Sequence, residues 1–227
     1  MPLPSYGLDA PPVVRNLLIA AGALIVTAAW LPALWIPGLS ILATAAYMIW
    51  GSLVGKRQQR ERLLDRYDWQ GGERVLDIGC GRGLLVVGAA HRLTKGKAVG
   101  IDIWQSADLS GNGAGAVLRN AASEEVIGRA VAITADMRDL PFPDASFDVI
   151  VSSLAIHNVP DDAGRRRALA EIVRVLKPGG QVFLQDIHCT ASYVIALKEL
   201  GLTQVERSGP QYRILPWPRI VSGRKAS

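Results

Sequence analysis

The run from Arg74 to Leu84, R-V-L-D-I-G-C-G-R-G-L, constrains this chain more than any other. Val75, Leu76 and Ile78 make a short apolar stretch with β-branched members, which predicts a buried strand. Gly79, Gly81 and Gly83 follow, and Leu84 to Leu93 is compatible with a helix. A strand, a glycine turn and a helix start make a cradle. Glycine lets the backbone pass close to a ligand, and the first N–H groups of the helix point at it.

The glycine spacing discriminates between ligands. A dinucleotide fingerprint reads G-x-G-x-x-G. Counted from Gly79, its third glycine falls at position 84, which is Leu84. The spacing here is G-x-G-x-G, with Asp77 two residues ahead of the first glycine. A carboxylate at that place repels a pyrophosphate and can receive a cation such as an α-ammonium. The pattern favours a nucleoside that carries an amino acid over NAD. A glycine turn with no ligand is the plainer alternative.

V-L-D-I-G-C-G-R-G resembles the first motif of class I S-adenosylmethionine-dependent methyltransferases. Further stretches follow in that family's order. Asp102 ends a second apolar strand, where the resemblance implies a residue holding the ribose hydroxyls. Asp136 and Met137 follow a third strand, near the expected position of the adenine amino group. L-P-F-P-D-A-S-F-D-V-I-V (Leu140 to Val151) resembles the approach to the fourth strand, and V-L-K-P-G-G (Val175 to Gly180) the turn before the fifth. The resemblance covers residues 60–225. It implies S-adenosylmethionine as cofactor, held by Asp77, Gly79, Gly81, Gly83, Asp102, Ile103, Asp136, Met137 and Ser153. It does not identify the acceptor.

The alternation of strands and helices predicts a doubly wound, Rossmann-like α/β sheet. Strands are expected near 74–78, 98–102, 130–135, 147–152 and 181–186, and short ones near 203–207 and 218–223 close the sheet with an antiparallel pair. Helices are expected near 58–68, 84–93, 113–126, 163–176 and 191–200. Ligands in such sheets lie at the carboxyl ends of the strands, where Gly79, Asp102, Asp136, Ser153 and Asp186 fall.

The N-terminal part has another character. From Asn16 to Gly55 there is no charged residue. Leu17 to Ile36 has about the 20 residues that cross a bilayer core. Pro37-Gly38 reads as a turn, and Leu39 to Val54 as a second, shorter apolar run. Residues 1–55 are expected to form a transmembrane helical hairpin with spans 17–36 and 39–54, Pro32 kinking the first. Arg15 precedes the first span, and Lys56, Arg57, Arg60 and Arg62 follow the second. The positive-inside rule then puts both ends, and the catalytic domain 56–227, on the cytoplasmic side. A soluble helical lid or dimer interface and a signal peptide are the alternatives.

Residues 56–68 are expected to form an amphipathic juxtamembrane helix, with Leu63, Leu64 and Tyr67 on one face. Its basic residues suit anionic head groups or a solvated helix packed on the sheet. Residues 1–55 carry one Asp and one Arg, so the net charge of +5 resides in the remainder. Basic and aromatic residues do not alternate as in nucleic-acid binders, so no nucleic-acid partner is expected. The two cysteines, Cys80 and Cys189, suit a reducing compartment, and no cluster has metal-ligand spacing.

Methyl transfer from a sulfonium is an in-line displacement that needs a base only when the acceptor must lose a proton. His157 follows the fourth strand in S-S-L-A-I-H-N, where the resemblance implies acceptor-facing residues. An unperturbed imidazole pKa near 6.5 suits a general base; a loop-shaping histidine is the alternative. Asp186 with His188 is a second candidate pair, and His91 is expected to be exposed and inert. Trp104 could cover the pocket or cap the core. Tyr212 and Leu215 to Pro218 are candidates for an acceptor wall. The acceptor is expected to be a small molecule, lipophilic ones included. A protein or nucleic-acid methyltransferase and a non-catalytic membrane scaffold are the competing readings. S-S-L-A stands where amino-directed nucleic-acid enzymes carry N-P-P-Y or D-P-P-Y.

Overall fold

The computed structural model describes residues 5–105 and 111–227. Most of the polar stretch after Trp104, residues 106–110, falls outside them. The strands are β1 (Arg74–Ile78), β2 (Lys97–Asp102), β3 (Ala130–Thr134), β4 (Phe147–Ser153), β5 (Leu176–Asp186), β6 (Leu202–Arg207) and β7 (Arg219–Lys225). They form one sheet in the order β3-β2-β1-β4-β5-β7-β6. The first five are parallel, and β7 runs antiparallel to both neighbours. The order reverses between β1 and β4, so a crevice opens above their carboxyl ends.

Alternation along the strands builds two apolar layers. Val75, Val149 and Val151 face one core, with Leu63, Leu64, Leu85, Val86 and Val117. Leu76, Ile78 and Ile150 face the other, with Leu169, Ile172, Tyr193 and Leu197. The covering helices are α3 (Lys56–Leu64), α4 (Leu84–Arg92) and α5 (Ala114–Ser123) on the first face. On the second they are α6 (Asp162–Val175) and α7 (Thr190–Glu199). β5 starts five residues earlier than its apolar run predicts. Residues 177–180 bulge between the pairs Phe147–Leu176 and Val149–Gln181, so Lys177 to Gly180 is an irregularity within β5.

Two apolar helices precede the sheet domain, α1 (Pro11–Thr27) and α2 (Trp35–Trp50). They pack side by side: a Cβ on Gly38 would lie 3.0 Å from Ile25 Cγ1. The turn between them spans Ala28 to Leu34, not Pro37-Gly38. Pro37 is the third residue of α2, where its missing N–H would have no intrahelical partner anyway. Pro32 opens the short 3-10 turn instead of kinking the first helix. The lengths reverse the expectation too. α1, with 17 residues, is about 25 Å long at 1.5 Å per residue. From Pro32 the chain stays helical for 33 residues to Leu64, through a π-turn at Gly51–Gly55. That helix is long and apolar enough to cross a membrane by length and composition. It runs straight through the expected boundary at residue 55.

The N-terminal segment returns to the domain. Ser5 N–H donates to Asn120 Oδ1 (2.9 Å), and Asn120 Nδ2 donates to Ser5 O (3.0 Å). Tyr6 O–H donates to Glu124 Oε1 at 2.5 Å. Lys56, 7% exposed, donates to Tyr6 O and Gly7 O and pairs with Asp9 at 3.1 Å. Burial pulls the Lys56 ammonium below its usual range, and Asp9 opposes that shift.

Candidate active site

A cavity of about 570 Å³ lies above the carboxyl ends of the parallel strands, within the range of ~300–1,000 Å³ usual for small-molecule sites. Asp77, Gly79, Gly81, Asp102, Ile103, Asp136, Met137, Ser153 and His157 all line it. Gly83 does not. It stands behind the loop at φ +85°, as the N-cap of α4, where a Cβ would lie 2.9 Å from Val117 Cγ1. Its role in the structure is to let α4 begin close to α5.

The glycine loop is shaped for close approach. Gly79 has φ +68°, and a Cβ there would meet Ala155 Cβ at 2.2 Å. Gly81 has φ +53° and donates its N–H to Asp102 Oδ2 at 2.8 Å. The other oxygen of Asp102 accepts the Trp104 N–H at 2.7 Å. Two backbone donors therefore fix this carboxylate at the rim. Asp77 is 2% exposed, and its Oδ2 accepts the Val86 N–H at 2.9 Å. Burial pushes its pKa up to about 8, against the opposing Val86 hydrogen bond. A cation delivered to Asp77 would restore its charge. Asp136 is more exposed and chelated by Arg138, whose guanidinium contacts both oxygens at 2.7 to 3.1 Å and holds the carboxyl below its usual range.

His157 sits in a single 3-10 turn after β4 and faces the cavity. Its Nδ1 lies 2.5 Å from Asp186 Oδ1. Asp186 is 1% exposed. It also accepts the His157 backbone N–H (3.0 Å), the Ile187 N–H (2.8 Å) and the Tyr193 O–H (3.1 Å). Burial, with the Asp186 charge, pushes the Tyr193 phenol upward, so it stays a donor. The contact is one of distance: Nδ1 makes no aligned hydrogen bond among the described residues, and a carboxylate beside Nδ1 favours the tautomer that carries the proton there and the lone pair on Nε2. The histidine beside Asp186 is thus His157; the His188 ring stands edge to face with that of His157, centroids 6.1 Å apart.

Other candidates are placed as follows. His91 is exposed and pairs with Glu124 at 2.8 Å. Trp104 packs against the first core and donates its indole N–H to Thr134 at 2.7 Å, away from the cavity lining. Leu215 and Pro216 line the cavity together with Ile214, whereas Tyr212 and Trp217 lie outside it, exposed and edge to face at 5.0 Å. The loop carrying them docks on the hairpin's second helix. Tyr47 O–H donates to Tyr212 O. A Cβ on Gly55 would fall 2.0 Å from Arg213 O, and one on Gly51 3.3 Å from the same atom. Tyr47, Gly51 and Gly55 recur every four residues, so one helix face receives the loop.

Residues 76–184 match the family model described as a methyltransferase domain. Over those residues the chain carries a methyltransferase domain. The domain is similar to the 2-phytyl-1,4-naphtoquinone methyltransferase of Synechococcus elongatus, 39% identical over 119 residues, 52% of this chain and 47% of that protein. It is also similar to the human mitochondrial arginine-hydroxylase NDUFAF5, 33% identical over 156 residues, 68% of this chain and 40% of that one. The chain spans less than half the length of these curated relatives. Among solved structures, an S-adenosylmethionine-dependent methyltransferase from Aquifex aeolicus shares the fold. Its TM-score is 0.57 at 18% identity, over 73% of this chain and 88% of that one.

S-adenosylmethionine is the cofactor of this methyltransferase family, and the residues present fit it. Gly79, at φ +68° and with no room for a Cβ against Ala155, keeps the loop backbone bare where it lines the cavity. Asp77, buried and carrying a raised pKa, suits a cation beside it, and Asp102 presents a fixed acceptor for hydroxyls.

Proposed function

We propose that this chain is a membrane-anchored methyltransferase that acts on a small lipophilic acceptor, with its catalytic domain on the cytoplasmic side. One observation carries this reading. The cofactor cradle, His157 with Asp186 behind it, and the apolar Ile214–Pro216 edge meet at one cavity, and that edge is docked on the hairpin.

S-adenosylmethionine supplies an electrophilic methyl group for in-line displacement. The chain supplies position, a dry site and a proton acceptor. Asp102 holds the ribose hydroxyls. Asp136 and Met137 border the adenine, and Asp77 receives the α-ammonium. His157 takes the acceptor's proton on Nε2. Asp186 holds the ring in that tautomer and balances the imidazolium. Ile214, Leu215 and Pro216 give the acceptor an apolar wall.

The anchor reading is supported by the hairpin's surface. Trp30, Leu31, Trp35 and Ile36 stand 46–76% exposed around the turn farthest from the domain, an apolar patch that water does not favour. Arg15 flanks one end of the hairpin, and Arg57 and Arg62 lie beyond the other, which suits a cytoplasmic base. The quinone-methylating relative supports a lipophilic acceptor by analogy.

One relative on the same fold is named a hydroxylase, so methyl transfer itself must be measured. Purified full-length protein is incubated with methyl-labelled cofactor and separated membrane and cytosolic extracts. Label in the organic-soluble membrane fraction is expected. Label in protein or nucleic acid, or none, overturns the acceptor class. Carbonate-washed membranes are expected to retain the chain, and its release overturns the anchor.

A further inference from the structure

Helix α3 continues the hairpin helix and brings Lys56, Gln59, Arg60 and Leu63 to the cavity, where Gln59 carries a polar atom that the proposed function leaves unused. Gln59 is 1% exposed. Its Nε2 donates to Gln185 Oε1 at 2.7 Å, and Gln185 Nε2 donates in turn to Ser153 Oγ at 3.0 Å. Gln185 is itself 3% exposed. In this relay the amide nitrogen is engaged and the oxygen is turned away from it. Gln59 Oε1 is buried and has no hydrogen-bond partner among the described residues. Gln59, Gln185 and Ser153 all line the cavity. A buried carbonyl oxygen without a partner costs free energy comparable to a lost hydrogen bond, so a bound molecule that supplies a donor gains affinity there.

The place of Gln59 along the cavity selects the donor. Asp136 and Asp102 follow β3 and β2, at one end of the sheet's parallel part, whereas Ser153 and Gln185 end β4 and β5. This argument rests on reading the cavity as the S-adenosylmethionine site. Adenosine at the Asp136–Asp102 end then sends its amino-acid tail towards β4 and β5. That tail carries one cationic N–H group and one anionic acceptor. A lone carbonyl oxygen complements the first and repels the second. We propose that Gln59 Oε1 accepts a hydrogen bond from the cofactor's α-ammonium, so that the helix leaving the hairpin takes part in gripping the cofactor's amino-acid end. Asp77 and Gln59 then share the three N–H donors of one ammonium.

The test uses the full chain and calorimetry with two ligands. One is S-adenosylhomocysteine, which keeps the ammonium. The other is methylthioadenosine, the same nucleoside thioether without the amino acid. Gln59→Leu is expected to weaken S-adenosylhomocysteine at least about tenfold, the size of a hydrogen bond to a charged group, and to leave methylthioadenosine within about twofold. Gln59→Asn, which withdraws the oxygen by one methylene while keeping an amide, is expected to show the same selective loss. Unchanged S-adenosylhomocysteine affinity in both variants overturns the assignment. So does an equal loss for both ligands, which would make Gln59 a packing residue only. A parent protein that binds neither ligand overturns the reading of the cavity itself, a result distinct from the other two.

Discussion

His157 and Asp186 meet at 2.5 Å across two strand ends, and the carboxylate of the pair is 1% exposed. An aspartate so enclosed needs partners for both oxygens. It has two backbone N–H groups and the Tyr193 hydroxyl, and the His157 ring stands beside it at ion-pair distance. The imidazole is thereby held by a group that cannot swing away with it.

His157→Ala is expected to lower turnover by about 10²–10⁴-fold, the usual contribution of a positioned proton acceptor, with cofactor affinity nearly unchanged. Asp186→Asn should lower turnover in the same direction while S-adenosylhomocysteine still binds. Steady-state rates with calorimetry on the same preparations check both. Near-parent turnover in His157→Ala at saturating acceptor would show that no base is needed.

The buried Asp77 makes two pH effects. Its pKa stands at about 8 in the ligand-free fold, well above the ordinary carboxylate value. A raised acid contributes stability that is fully present below about pH 4 and lost as the pH climbs to about 8. Melting temperature of the ligand-free parent should therefore fall relative to Asp77→Asn between pH 5 and 8. Binding an ammonium recharges Asp77, so S-adenosylhomocysteine should release a proton at pH 7. Calorimetry in buffers of different ionisation heat reads that proton, and its absence would place the ammonium elsewhere.

Asp102→Ala removes acceptors for the Gly81 and Trp104 N–H groups as well as for ribose hydroxyls. Cofactor affinity should drop by roughly 1.5–3 kcal/mol per lost charge-assisted hydrogen bond. Unchanged affinity in a folded variant would withdraw the ribose assignment.

Gly55→Leu tests the docking of the Tyr212–Pro216 loop. No Cβ fits 2.0 Å from Arg213 O, so the loop or the π-turn must move. A loss of about 1–3 kcal/mol in stability is expected from overpacking. Acceptor turnover should fall while methylthioadenosine affinity stays near that of the parent. Thermal melts and ligand titrations separate the two effects.

Much of the sheet domain was readable from the chain because its signals are local. The glycine loop, the apolar strands and the acidic residues at their ends each lie within a few residues of sequence. What escaped depends on distant partners. Asp186 looked tied to its neighbour His188, but the 3-10 turn after β4 carries His157 to it across 29 positions. Arg138, two residues from Asp136, occupies that carboxylate, a competition that motif position does not reveal. The hairpin turn was misplaced because Pro37-Gly38 looks like a break, although proline is harmless in a helix's first turn. Gln59 lies in a basic stretch whose sequence suits anionic head groups or a solvated helix packed on the sheet, so its composition does not point to the cavity. Its spacing of four from the apolar Leu63 was the available signal that it faces inward.

The continuous helical path from Pro32 to Leu64, π-turn included, has a geometric corollary. Each residue turns an α-helix by about 100°. Adding or deleting one residue between Tyr47 and Lys56 would rotate the hairpin about its own axis against the sheet domain. Tyr47 would then leave the loop it holds, though hydrophobicity and length would scarcely change. The seating of the hairpin on the domain is therefore specified by its angular phase as well as by its composition, and a foreign apolar helix of equal length would seat the loop only if joined in the same phase.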